Sequence, residues 1–302
     1  QHITNAGWSV NIRRLAESFT AFLPFAAVGA VVLVLGSGHL YEWLDSAKVA
    51  EDALLTAKSA YLNKPFFVVR LAVYFVMWVW FAKILVGNSL KQDKTGDEEL
   101  THKNVKASIP FLITFALSFS LFSVDVIMSL EPHWFSTIFG IYCFSGLFHS
   151  TIAAIIVLAI YLQNLGLLKG LVNENHMHDL GKFLKAFCVF YAYIAFSQFM
   201  LIWYANLPEE TIYYLNRANG GWMVMSVGLL LFKFAVPFLV LLPRDSKRNP
   251  SILGAVAVLI LVMQYIDIHW MIYPVLNNQE VLLSWQEIGV FLGFLGLFLF
   301  SI

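Results

Sequence analysis

Asp125, His149, Lys233, Asp267 and His269 all stand within long apolar runs, and together they could hand protons from one to the next. An ionisable side chain at the centre of a bilayer costs about 3 kcal/mol or more, so each one calls for a functional or structural reason. Asp125 and Asp267 have no cation beside them in sequence; each must find a partner on another helix or keep its proton. The structural alternative is a carboxylate satisfied by backbone or by Arg70. Lys233 lies near the middle of its run, and Pro237 follows four residues on. A proline there removes the donor that the Lys233 carbonyl would take and predicts a kink. Buried lysines titrate readily, which suits a proton carrier; the alternative is an ion pair with a carboxylate that the sequence does not identify. His149 is flanked by Ser150 and Thr151. A lone buried histidine is commonly a hydrogen-bonded core residue, but this one would also suit a relay between Lys233 and the aspartates. Arg70 and Lys83, near the ends of their run, are expected to snorkel.

A second polar group is expected at a rim, where Ser129-Leu130-Glu131-Pro132-His133-Trp134 joins two apolar runs. Pro132 suits a first helical position, with Glu131 favoured at the positive end of the helix dipole. His133, with Asp125, Asp267, His269 and Gln198, could form a cluster at one level. Such a cluster could bind a quinol ring and take its protons, or serve as the floor on which an extrinsic subunit docks. Haem b does not fit, because His149 is central in its run while His133 and His269 are near the rim. His176 and His178 read as residues of a solvated loop. Cys143 and Cys188 form no CxxC or CxxCH pattern, which argues against a disulfide framework, an iron–sulfur ligand set and c-type haem.

The elements that must position these groups are membrane-spanning helices. The 302 residues are 59% hydrophobic and 13% charged, with a mean hydropathy of +0.73. The net charge of zero gives no sign of a nucleic-acid partner. About 20 apolar residues cross about 30 Å of hydrocarbon. Eight runs qualify: Glu17 to Gly38, Phe66 to Gly87, Ala107 to Leu130, His133 to Gln163, Phe183 to Asn206, Gly221 to Leu242, Ser251 to Tyr273, and Ser284 onward. Trp134, Trp203, Tyr204, Trp222, Trp270 and Tyr273 cluster at run ends, as in an aromatic belt. Cations crowd one set of connections (Arg13, Arg14, Lys91, Lys94, Lys103, Lys106, Lys169, Lys182, Lys185, Arg244, Lys247 and Arg248). The other set has only Lys48, Lys58, Lys64 and Arg217, which places the first residue on the cytoplasmic side. A short surface helix is expected within Tyr41 to Tyr61 and another at Glu209 to Arg217. The absence of an initiator Met and the apolar end at Ile302 suggest a longer polypeptide.

Val124-Asp125-Val126 and Ile266-Asp267-Ile268 each precede a proline, Pro132 or Pro274, by seven positions from the aspartate. The entries to the first run (Leu15, Phe19, Ala21, Phe22, Phe25) and to the fifth (Leu180, Leu184, Ala186, Phe187, Phe190) share apolar spacing. The expectation is an all-α integral membrane protein of two related four-helix groups, residues 1–165 and 166–302, as in transporters with parallel repeats. Chance alignment of apolar runs is the alternative.

The stretch from Asp125 through Glu131-Pro132-His133-Trp134-Phe135-Ser136-Thr137 to Phe144-Ser145-Gly146 closely resembles the NrfD-like (polysulfide reductase membrane subunit-like) family. The branch it resembles is the second such component of bacterial alternative complex III, a quinol:cytochrome c oxidoreductase. The similarity extends over most of the chain, including Ile268-His269-Trp270. The resemblance implies about ten helices in two four-helix bundles with flanking helices, two of them before Gln1. It implies a place in the bacterial cytoplasmic membrane beside an ActC-like sister subunit, the iron–sulfur subunit ActB, a multihaem cytochrome c subunit and lipid. The sister subunit would oxidise menaquinol or another quinol, and haem c and iron–sulfur clusters would belong to partners. This chain would supply membrane core and a proton path, with no cofactor or metal of its own. Asp125, Glu131 and His133 carry over from the motif; Lys233, His149 and Asp267 are proposed from position. A secondary transporter and a structural scaffold are the competing readings.

Overall fold

A computed structural model describes residues 2–4, 6–276, 281 and 284–302, which are mostly helical, with no strand among the described residues. Among the described residues seven helices are long and apolar enough to cross a membrane: α1 (Gly7–His39), α2 (Lys64–Thr95), α3 (Glu99–Val126), α4 (Phe139–Asn164), α5 (Glu174–Ala205), α7 (Gly220–Val240) and α9 (Pro250–Leu276). Between them lie α6 (Pro208–Arg217) and α8 (Arg244–Arg248), and a shorter apolar helix follows, α10 (Trp285–Ser301). Local signals set the ends. Asn63 caps α2 by accepting from the Phe66 N–H at 3.0 Å, and Gly96 closes it at φ +67°. Asn173 and His176 form a capping box at the start of α5. The expected surface helix within Tyr41 to Tyr61 is two short ones, Ser46–Glu51 and Ala53–Lys58, capped by Asp45 and Asp52.

The chain divides into two compact units, Gln1–Pro132 with Leu283–Ile302, and His133–Leu282. The division falls ahead of α4, whereas the sequence reading grouped residues 1–165. The reason is close packing of α4 on α9. A Cβ at Gly146 would lie 2.8 Å from Gln264, and one at Gly254 would lie 3.2 Å from Ile160. Ala153, Ile156 and Ala159 of α4 and Ala257 and Ile260 of α9 are fully buried beside these approaches. In the first unit α2 and α3 form a hairpin filled by Trp78 and the Phe115–Phe119–Phe122 row. There α10 lays Phe298 against Phe19 and Phe22, at ring separations of 5.2 and 5.5 Å.

Four expectations change. His176 and His178 lie in the first two turns of α5 and not in a loop. Helix α4 begins at Phe139, six residues after His133, so Pro132 is a turn residue and not a first helical position. The intervening segment carries Trp134 inward, where its ring stacks on Tyr213 at 4.0 Å. Of the belt aromatics, Trp203 and Tyr204 are exposed, but Trp134, Trp222 and Trp270 are buried. Arg70 does not snorkel; it is buried and turned toward Asp125.

Candidate functional site

The second unit holds an ion pair with almost no exposure. Lys233 is 0% exposed and Asp267 is 1% exposed, and Lys233 Nζ lies 2.6 Å from Asp267 Oδ2. Lys233 also donates to Gln264 Oε1 at 2.9 Å and sits 3.8 Å from the centre of the Tyr191 ring. The other oxygen, Asp267 Oδ1, accepts from the Tyr142 hydroxyl at 2.6 Å and the Tyr191 hydroxyl at 3.1 Å. The two phenol oxygens are themselves 3.1 Å apart. Four helices therefore meet at one carboxylate: α4 brings Tyr142, α5 brings Tyr191, α7 brings Lys233, and α9 brings Asp267 and Gln264.

Winding in α7 accounts for the position of Lys233. Leu229–Ala235 forms a π-helical segment that runs up to Pro237. Proline supplies no N–H, so a carbonyl one turn back loses its usual partner. The buried Cys188 thiol of α5 answers it, 3.7 Å from the Lys233 carbonyl oxygen and 3.5 Å from that of Phe234. The kink expected at Pro237 is thus a widened turn, a form associated with functional sites.

A second proline is treated the same way. Pro274 lies inside α9, and Arg217 is directed at the carbonyls before it. Its Nε donates to the Trp270 carbonyl at 3.1 Å and an Nη donates to that of Met271 at 2.7 Å.

The first unit has a related group built on Asp125, which is 0% exposed. Its Oδ2 accepts from Arg70 Nε and from the Tyr74 hydroxyl, both at 2.9 Å, and its Oδ1 accepts from the Tyr61 hydroxyl at 2.8 Å. Burial, reinforced by the Asp125 charge, pushes the Tyr61 phenol up to about 12, which keeps it a donor. Each unit thus contains a carboxylate, one cation and two phenols. The cations differ in chemistry: a guanidinium does not give up its proton in a protein, whereas a buried ammonium can. Asp125 is consequently held in a fixed pair, and only the Asp267 group combines carboxylate and ammonium. The seven-residue spacing to proline marks different places, since Asp125 is in the last turn of α3 and Asp267 is well inside α9.

His149 lies on the same face of α4 as Tyr142 and Gly146, at helical spacing. It is 0% exposed, and neither ring nitrogen has a hydrogen-bond partner among the described residues. His269, two residues beyond Asp267 and about 200° around the helix, stacks on Tyr273 at 3.8 Å. The rim residues do not gather within one unit. Glu131 belongs to the first; His133, exposed, and Trp134, on Tyr213, belong to the second. Gln198 instead lines a cavity of about 540 Å³ together with Tyr142, Tyr191, Arg217 and Trp270, among otherwise mainly apolar side chains. Its Oε1 is buried and has no partner. The cavity therefore offers mainly apolar walls and borders the two phenols that touch Asp267.

Sequence reasoning overlooked Tyr142, Tyr191, Gln264 and Arg217. The detectable signal was Tyr142, Gly146 and His149 sharing a helix face, and Tyr191 and Gln198 doing the same seven residues apart. No protein-family model matches the chain, and no curated protein matches it either.

Proposed function

We propose that this chain is a proton-handling membrane subunit of a bacterial respiratory quinol:cytochrome c oxidoreductase of the alternative complex III type. Its partners would be an ActC-like subunit that oxidises quinol, an ActB-like iron–sulfur subunit and a multihaem cytochrome c. The complex assignment rests on the Asp125 to Gly146 motif. The proton role rests on one observation, the Lys233–Asp267 pair with two phenols in an interior without exposure. A proton taken up on the Asp267 carboxylate and one released from the Lys233 ammonium, followed by transfer between the two across 2.6 Å, would pass on one proton per cycle. Tyr142 and Tyr191 connect the pair to the cavity, and His149, with two unused nitrogens, is the next group along α4. Asp125 is assigned a structural role because its partner is Arg70.

A menaquinol-like ring suits the cavity, whose lining is mainly apolar. Electrons would travel in the partner subunits. The widened turn at a buried lysine also fits a secondary transporter, and solute flux by the chain alone would select that reading.

Two measurements test the proposal. Affinity purification of the chain should bring down a multihaem cytochrome and an iron–sulfur protein; their absence would remove the complex assignment. In vesicles, Asp267→Asn should retain quinol oxidation and lose most proton pumping; full pumping would remove the proton role.

A further inference from the structure

The start of α5 carries His178, Lys182 and Lys185 at helical spacing, followed one turn later by Val189. Short helix α8 packs on this face so closely that a Cβ at Gly181 would lie 2.9 Å from Lys247. Between them is a cavity of about 570 Å³ lined by His178, Lys182, Lys185, Ala186, Val189 and Lys247. Lys247 turns its ammonium onto the carbonyls of Leu241, Leu242 and Pro243 at 2.7, 3.0 and 2.7 Å, which closes the end of α7. Lys182 pairs with Asp179 at 2.7 Å on the exposed side. Lys185 is half-buried with its ammonium 5.2 Å from the Phe238 ring centre, so it carries no carboxylate partner there. Arg248 donates to Asn175 and Arg244 is exposed. The fields of Lys182, Arg244, Lys247 and Arg248 converge on His178. The two helix segments thus hold five cations against the carboxylates Glu174, Asp179 and Asp245.

Lys182 and Lys185 line a concave surface whose inner side, Ala186 and Val189, continues into the apolar length of α5, and Arg244 and Arg248 stand outside that lining on α8. A soluble polyanion would use the charge and leave the apolar side uncovered. A phospholipid uses both, since basic pockets at the ends of membrane helices take lipid headgroups while chains cover the wall below. We propose that this cavity binds an anionic phospholipid with two phosphodiesters, of the cardiolipin class. One phosphate would lie between Lys182 and Lys185 and the other toward Arg244 and Arg248, with acyl chains along Ala186 and Val189.

The test uses the full chain in phosphatidylcholine nanodiscs, titrated with cardiolipin and, separately, with phosphatidylglycerol, and reads bound lipid by mass spectrometry. Cardiolipin should be retained by the wild type and by Lys182→Arg/Lys185→Arg. Retention should weaken about 5-fold for each lysine neutralised, or about 30-fold in Lys182→Gln/Lys185→Gln. Equal retention in the glutamine variant would overturn the site. Equal retention of phosphatidylglycerol by the wild type would overturn the two-phosphate assignment. Poly-glutamate added to the nanodiscs that binds the wild type but not the glutamine variant, with cardiolipin retained equally by both, would overturn the lipid site in favour of one for an acidic polypeptide.

Discussion

Removing Lys233 alone confounds proton transfer with stability, and the structure says by how much. At 2.6 Å, and with an effective dielectric constant of about 20, the Lys233–Asp267 attraction is about 6 kcal/mol, much of it offset by desolvation of both ions. Lys233→Met would leave a carboxylate at 1% exposure with two phenol donors and no counter-ion. Breaking one side of a buried pair costs about 3–5 kcal/mol; the two phenol donors left on Asp267 put this case near 3. Asp267→Asn should cost a similar amount, because Lys233 would keep only Gln264 and the Tyr191 face. The double variant removes both charges and should be no less stable than either single one, which means a coupling of about 3 kcal/mol. In a Cys143→Ser background, which removes the partly exposed thiol, Cys188 provides the assay: fully buried beside the Lys233 carbonyl, it should react with a thiol-reactive dye only as the bundle opens on heating. The double variant should then oxidise quinol in the complex yet fail to pump. Additive destabilisation, about 6 kcal/mol in the double variant, would refute the pairing argument, and intact pumping would refute the functional one.

Other perturbations separate the remaining roles. Arg70→Lys retains a cation at Asp125 but loses the guanidinium bridge to the Tyr61 carbonyl at 2.9 Å; thermal midpoints should fall by the equivalent of about 1–2 kcal/mol with pumping unchanged. Lys247→Met leaves three carbonyls at the end of α7 without their donor, so stability should drop by about 2–3 kcal/mol and amide exchange should rise around residues 239–243. Gly146→Ala places a methyl 2.8 Å from Gln264 Oε1; the flexible amide can move away, so pumping should slow while stability changes by less than about 1 kcal/mol.

Much of the architecture was legible because hydropathy and punctuation mark membrane helices directly. Seven of the eight runs are helices long enough to cross, and the eighth is the shorter α10. The chemistry was legible only as isolated charges. Lys233 and Asp267 stand out because ionisable groups in apolar runs are conspicuous, but their pairing spans 34 residues and two helices. Tyr142 and Tyr191 look like ordinary aromatics until their hydroxyls meet the same carboxylate. For Arg70 the sequence supported both snorkelling and a contact with a buried carboxylate, because depth along a helix can be read from a sequence whereas the direction of a side chain depends on the neighbour; the contact with Asp125 is the outcome. Trp134 shows the same limit: a tryptophan near a helix end fits a headgroup belt or a buried stack equally well, and Tyr213 decides it.

The widened turn in α7 also governs registration. Leu229, Lys233, Pro237 and Leu241 are all buried, and they follow one another at intervals of four. On an ordinary α-helix each such step advances about 40° past a full turn, so three of them would swing Leu241 about 120° from Leu229. A π turn takes more residues per revolution and absorbs much of that drift. The segment therefore acts as a vernier. It lets the ammonium at 233 and the proline at 237 share one inward line with the packing residues above and below, which a uniformly wound α-helix with this spacing would spread around its circumference.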